Sequence, residues 1–175
     1  HPWRKRLLRA LVEDRNWRYA SAFIAKTEEE AAHLRRLGLR QIIRVIPNGI
    51  DATHDRQTAS PEAFLARHPE LRGQRLLLFL SRIHPKKGLP LLLRAWDVLA
   101  AHFPDWRLVI AGGLESPHGR EITRSATSGT LRGRVTLTGP LNGPMKDSAM
   151  SAASLFVLPS LSENFGQAVL EALAS

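Results

Sequence analysis

Apolar runs of strand length alternate with helical patterns along most of this chain. The apolar runs occupy residues 75–81, 106–111, 134–138 and 154–158. The helical patterns that follow them lie near residues 88–102, 117–130, 145–153 and 166–174. Strands that alternate with helices in this way form doubly wound parallel sheets, so the pattern predicts an α/β fold with a Rossmann-like sheet and a buried strand at residues 154–158.

A smaller set of elements precedes that pattern. Residues 20–25 and 42–46 predict two short strands, with a helix at residues 28–37 between them. The following segment is rich in polar residues and lacks sustained periodicity apart from a helical pattern at residues 61–67. We therefore predict three parts: the tail of an N-terminal domain (1–50), an interdomain connection (51–73) and a second domain (74–175).

Two glutamates follow the last apolar run, Glu163 in a loop and Glu171 in the helix behind it. Loops after parallel strands lie where open sheets bind ligands, and the N–H groups of residues 164–167 would face an anion there. Glu171 could accept hydrogen bonds from sugar or ribose hydroxyls, and we expect no lysine or arginine to saturate it. The alternative is that Ser160 and Glu163 form a capping box and that Glu171 is an ordinary polar surface residue.

Two cations follow the run at residues 75–81. Arg82 stands at the end of the predicted strand and Lys87 stands just before the next helix. A guanidinium grips phosphate oxygens in a bidentate manner and an ammonium adds a point charge, so the pair suits a diphosphate. We expect the two side chains to converge beside residues 164–167, although basic residues at strand ends can also be merely solvated.

Four segments together resemble the retaining GT-B glycosyltransferases of family four, which use nucleotide-sugars. The matching segments are Val45–Asp51, Arg82–Gly88, Leu108–Gly113 and Leu155–Glu171, in the family's order and at its usual separations. The resemblance covers about residues 20 to 175. It implies a GT-B fold made of two Rossmann-like domains, of which the chain would hold one incompletely and the other in part.

The resemblance also implies roles for residues on the nucleotide side. Arg82 and Lys87 would neutralise the diphosphate and stabilise it as a leaving group. Glu171 would hold the ribose hydroxyls, and Leu141 lies where the family lodges the nucleobase.

On the sugar side, Glu163 would face the donor sugar, and the backbone N–H groups of Asn164, Phe165 and Gly166 would position it. With Arg82 and Lys87, Glu163 would form the catalytic set. Two departures from the family pattern are Asn164, where glycine is common, and Ser154, where aspartate is common.

The function implied is transfer of a sugar from a nucleotide-sugar to an acceptor hydroxyl, in the synthesis of cell-surface polysaccharide, lipopolysaccharide or glycolipid. The departing phosphate would help to deprotonate the acceptor, which is a sugar or a lipid-linked sugar. Neither a metal nor a cofactor is expected, since the sequence has no Asp-x-Asp pair and no helical histidine pair. Two alternatives stay open: a GT-B-fold epimerase or phosphorylase, and a non-catalytic module that binds RNA or membrane.

Length predicts that the chain is a fragment, because 175 residues are about half of a two-domain enzyme of this kind. We therefore expect the chain alone not to transfer sugar, since both reactants must be held together for catalysis. We also expect the strand at residues 155–158 to form an open edge of its sheet.

The formal charge of +9 raises the question of nucleic acid, but the arginines are scattered and only 6% of residues are aromatic. An anionic membrane surface fits the charge better. Residues 3–12 form a basic amphipathic helix pattern that could lie on a membrane or pack on its own domain. No apolar run reaches the ~18 residues that span a bilayer, and cysteine is absent. We predict a cytoplasmic protein, peripheral to the inner face of the membrane, that binds no nucleic acid.

Overall fold

The computed structural model describes residues 14–49 and 59–175. The chain divides into two compact units, at residues 1–49 and 50–175. The predicted amphipathic helix at residues 3–12 lies outside the described residues. Within the described ranges, no helix is both long enough and apolar enough to cross a membrane.

The first unit contains two parallel strands separated by a helix. Its elements are α1 (Asp14–Tyr19), β1 (Ala22–Ala25), α2 (Glu28–Arg36) and β2 (Ile42–Val45). The strands pair in register from Ala22 opposite Ile42 onward. Helix α2 begins with a capping interaction, because the Thr27 hydroxyl accepts a hydrogen bond from the Glu30 N–H at 3.1 Å.

The second unit contains a parallel sheet covered by helices. Its strands are β3 (Arg75–Leu80), β4 (Trp106–Ala111), β5 (Val135–Gly139) and β6 (Leu155–Phe156). Its helices are α3 (Glu62–Arg67), α4 (Leu89–Leu99), α5 (Pro117–Ala126), α6 (Gly143–Ala152) and α7 (Gln167–Leu173). The strand order is β5-β4-β3-β6, and every neighbouring pair is parallel. The predicted doubly wound arrangement is confirmed.

Each face of the sheet carries its own hydrophobic core, because successive side chains of a strand point to opposite faces. On β4, Leu108 and Ile110 pack in one core with residues of α4 and α5. Val109, between them, packs in the other core with Phe64 of α3 and Met150 of α6. The continuous apolar runs of the sequence therefore reflect strands that are covered on both faces.

Helix α3 belongs to the second unit, although its sequence lies in the segment predicted to connect the domains. It is held by Ser148 of α6, whose hydroxyl accepts a hydrogen bond from the Phe64 N–H at 2.9 Å and donates one to the Ser60 carbonyl at 2.7 Å. Ser148 is the buried polar side chain of this core among the described residues. The assignment of residues 51–73 to an interdomain connection stays a prediction.

Three elements are clearly shorter than the sequence predicts. Helix α4 ends at Leu99, and α5 ends at Ala126, before a short 3-10 helix at Gly129–Leu131. Strand β6 is shorter than the predicted residues 154–158, and the prediction that it is buried is wrong, since Leu155 is 55% exposed. The reason is position: β6 pairs with β3 on one side, and no described strand pairs with its other side, as the expected open edge requires.

The loops that follow β3 and β6 press directly against each other at Gly88. This glycine has a φ of 71°, and a Cβ placed on it would lie 1.9 Å from the Pro159 carbonyl oxygen. Close by, the Leu161 N–H donates a hydrogen bond to the Lys86 carbonyl at 2.8 Å. The position therefore requires glycine for two reasons, a left-handed backbone and the absence of a side chain.

We predict that Gly88→Ala destabilises the chain by about 2–6 kcal/mol, since backbone strain and overpacking each cost about 1–3 kcal/mol. The matched control is Gly133→Ala. Gly133 has a φ of 73°, but a Cβ placed there meets nothing within 4 Å, so it should show the strain alone. Urea denaturation of both variants measures the difference, and equal losses would contradict the close approach of the two loops.

Candidate functional site

The candidate site lies at the carboxyl ends of β3 and β6. The loop after β3 (residues 81–88, the basic loop) and the loop after β6 (residues 159–166, the acidic loop) are adjacent because their strands pair in parallel. Ligands bind at this end of open parallel sheets. The structure thus brings together the two clusters that the sequence places about eighty residues apart.

Lys87 and Glu163 form an ion pair between the two loops, from Nζ to Oε2. Their side chains are 15% and 33% exposed, so the lysine is the better covered partner. The Ser160 hydroxyl also donates to the Glu163 carboxylate, at 3.1 Å. The hydrogen bond from Lys87 is the main cause that lowers the pKa of Glu163 below its ordinary value, and contacts with Ser160 and the Asn164 backbone add to it.

The capping-box alternative for Ser160 and Glu163 is wrong. Helix α7 begins at Gln167, and its N-cap is Gly166, which has a φ of 69° and provides no side-chain cap. Ser160 therefore lies seven residues before the helix, and its hydroxyl donates to the acid rather than accepting from the helix. The Asn164 N–H is also turned to Glu163.

The remaining cation, Arg82, is exposed at the start of the basic loop. The chain then passes through His84, whose Nδ1 accepts a hydrogen bond from the Lys86 N–H at 3.2 Å and caps a 3-10 helix at Pro85–Lys87. This cap orients the short helix that carries Lys87. Convergence of Arg82 and Lys87 on one phosphate stays a prediction.

Glu171 is paired with a lysine, which contradicts the expectation that no cation saturates it. Nζ of Lys146, on α6, lies 3.0 Å from Oε1 of Glu171, on α7. The two side chains are 17% and 15% exposed. No sequence pattern predicts this contact, because Lys146 lies 25 residues earlier, on another helix.

Of the other predicted site residues, Leu141, Phe165 and Gly166 are half-buried and Asn164 is exposed. Leu141 lies between β5 and α6 and packs against the core that contains Met150. Phe165 lies in the acidic loop, before the left-handed Gly166. Their roles toward a nucleobase and a sugar stay predictions.

Two further residues lie at strand ends, Gly112 at the carboxyl end of β4 and Ser154 at the amino end of β6. A Cβ on Gly112, in the loop after β4, would lie 2.3 Å from the Ser81 carbonyl oxygen, so this loop also packs closely on the basic loop. Ser154, which stands where the resembling family commonly has aspartate, accepts a hydrogen bond from the Leu76 N–H at 3.3 Å. The described residues contain no group of three acidic or histidine side chains that could hold a metal ion.

We predict that Lys87→Met raises the pKa of Glu163 toward its ordinary value of 4.5, because the largest cause of the lowering is removed. Carboxyl-carbon NMR titration measures it, and Lys86→Met, which removes an exposed neighbouring cation, is the control. Since the folded-state pKa is lowered, the pair stabilises the fold at neutral pH, and that contribution is lost as the pH falls through this pKa. An unchanged Glu163 titration in Lys87→Met would contradict the ion pair.

Curated relatives resemble the chain over most of its length. It is 34% identical over 132 residues to a phosphatidyl-myo-inositol mannosyltransferase of Mycolicibacterium smegmatis, covering 74% of this chain and 31% of that protein. It is 32% identical over 178 residues to a D-inositol 3-phosphate glycosyltransferase of Mycolicibacterium paratuberculosis, covering 95% of this chain and 38% of that protein. The chain thus spans only 31% and 38% of the lengths of these two relatives.

Solved structures share the fold. Sucrose-phosphate synthase from Thermosynechococcus elongatus superposes with a TM-score of 0.74 at 26% identity, covering 94% of this chain and 41% of that one. HepE of Anabaena, solved in complex with UDP-glucose, superposes with a TM-score of 0.76 at 23% identity, covering 90% and 43%. The predicted fold class, α/β of GT-B type, is confirmed.

The family model for glycosyl transferases group 1 matches residues 62–175, the span that contains both loops and their ion pair. The chain belongs to the family of glycosyl transferases group 1.

Proposed function

We propose that the chain is the donor-binding part of a retaining glycosyltransferase, which moves a sugar from a nucleotide-sugar to an acceptor hydroxyl. The observation that carries the proposal is the ion pair between Lys87 and Glu163, which joins the basic and acidic loops at the carboxyl edge of the sheet. A cation for phosphate and an acid for sugar hydroxyls then lie side by side, as a diphosphate-linked sugar requires.

When the donor binds, Lys87 would exchange its present partner, the Glu163 carboxylate, for the diphosphate. The ammonium that now holds the Glu163 carboxylate would instead contact the diphosphate, with Arg82 gripping further oxygens. Glu163, released from Lys87, would accept hydrogen bonds from the donor sugar. Even at its ordinary pKa of 4.5 the released carboxylate is an anion at neutral pH, and an anion accepts stronger hydrogen bonds than a neutral acid does.

Charge then builds on the diphosphate as the bond to the sugar breaks. Arg82 and Lys87 stabilise this developing charge in the transition state, and an interaction that strengthens there accelerates the reaction. The departing phosphate accepts the acceptor's proton on the same face of the sugar, which retains the configuration at the sugar carbon. The two cations fill the role of a metal ion, so no cofactor is required.

The names of the relatives support the class of substrate. The two relatives described above are named as a phosphatidyl-myo-inositol mannosyltransferase and a D-inositol 3-phosphate glycosyltransferase, so both names contain an inositol compound. We propose an acceptor of this general kind, a hydroxylated head group or lipid-linked sugar in glycolipid or cell-surface polysaccharide synthesis. The charge of +9 would favour its binding at the anionic inner face of the membrane.

We predict that the chain binds a nucleoside diphosphate and that Lys87→Ala and Arg82→Ala each weaken binding by about 1.5–3 kcal/mol, the usual contribution of a charge-assisted hydrogen bond. Calorimetric titration of UDP, GDP and ADP measures the affinities. EDTA should leave them unchanged.

Lys86→Ala is the matched control, since Lys86 is the neighbouring exposed lysine and contributes to the loop contact only through its carbonyl. It should bind as the unmodified chain does. If the three alanine variants weaken binding equally, the contact is diffuse attraction to a basic surface. If none of the three nucleotides binds, the donor site does not exist as proposed.

A further inference from the structure

The ion pair between Lys146 and Glu171 is better covered than the pair between the two loops. Lys146 lies in the first half of α6, Glu171 lies in α7, and their charged atoms are 3.0 Å apart. Both side chains are less than one fifth exposed. The pair therefore fixes the direction of the Glu171 carboxylate relative to α6.

Helix packing alone does not require these charges. Taking two charges out of water costs several kcal/mol, and apolar side chains of similar volume join two helices at least as well. Met150, one turn further along α6, lines the same groove as Val169 and Leu173 of α7, so apolar side chains are present where these two helices approach each other. The charges of Lys146 and Glu171 therefore fit a role in binding a ligand.

The position of Lys146 relates it to both nucleoside contacts of the proposed site. Leu141, which is predicted to lie against the nucleobase, precedes Lys146 by five residues. Asn142, between them, is the N-cap of helix α6. An ammonium has three donors, of which the Glu171 carboxylate takes one. Lys146 thus contacts the acid predicted to bind the ribose and lies close in sequence to the loop predicted to bind the base.

We propose that Lys146 is a positioning residue for the ribose of the nucleotide. It holds Oε1 of Glu171 and so directs the carboxylate toward the 2′- and 3′-hydroxyls. The preference for a ribonucleotide over one that lacks both hydroxyls then depends on Lys146. This inference rests on the proposed function, since it assigns a part of the same site.

The test compares UDP with 2′,3′-dideoxy-UDP by calorimetry on the whole 175-residue chain, with GDP, ADP and their dideoxy forms in parallel. The unmodified chain should prefer the ribonucleotide by about tenfold or more, the value of a hydrogen bond to a charged group. Lys146→Met should reduce the preference to less than about threefold by weakening ribonucleotide binding alone. Lys146→Arg, which keeps the cation, should restore most of it, and Lys86→Met should leave it unchanged.

Each other outcome overturns the inference. If Lys146→Met keeps the full preference, Lys146 has no role toward ribose. If it weakens both nucleotides equally while thermal unfolding is unchanged, or tightens the ribonucleotide, Lys146 supports the site as a whole or competes with the ligand. These results leave the proposed function standing, because the unmodified chain still binds nucleotide. Failure of that chain to bind any of the nucleotides would overturn both.

Discussion

The contact between Gly88 and Pro159 is the constraint on which the candidate site depends. A backbone without a side chain lets the loop after β3 lie directly on the carbonyl of the loop after β6. The hydrogen bond from Leu161 to the Lys86 carbonyl and the ion pair from Lys87 to Glu163 form beside that contact. A Cβ at this point would separate the loops, and both charges of the proposed donor site would then face water.

The two acids of the site are each paired with a lysine, and their coverage suits them to different tasks. Glu163 is the more exposed acid, and water can replace its contact with Lys87 while a ligand enters. Glu171 and Lys146 are both well covered, and separating them would leave a charge with little solvation. The first pair is therefore suited to exchange with an incoming diphosphate, and the second is suited to stay intact.

Local pattern was sufficient for most of the fold. Strands β3 and β4 are covered on both faces and therefore have continuous apolar runs, so these central strands were predicted within a residue or two. The sequence predictions were wrong where the structure of a segment depends on the elements that pack beside it. Strand β6 has an apolar sequence, yet its outer side has no partner among the described strands, and Leu155 is exposed as a result. The capping box at Ser160 and Glu163 matched a sequence pattern, but the loop folds toward Lys87 and the helix begins later.

The sequence by itself determined the alternation of strands and helices, and hence the edge of the sheet where Arg82, Lys87, Glu163 and Glu171 would gather. This follows from parallel topology, which places every loop after a strand at the same edge. Only the tertiary structure decided the partners of these residues. Lys87 meets Glu163 because β3 and β6 are neighbours, and Lys146 meets Glu171 because α6 and α7 lie close together. Such contacts depend on distances of a few ångströms between elements far apart in the chain, and periodicity within a single element carries no information about them.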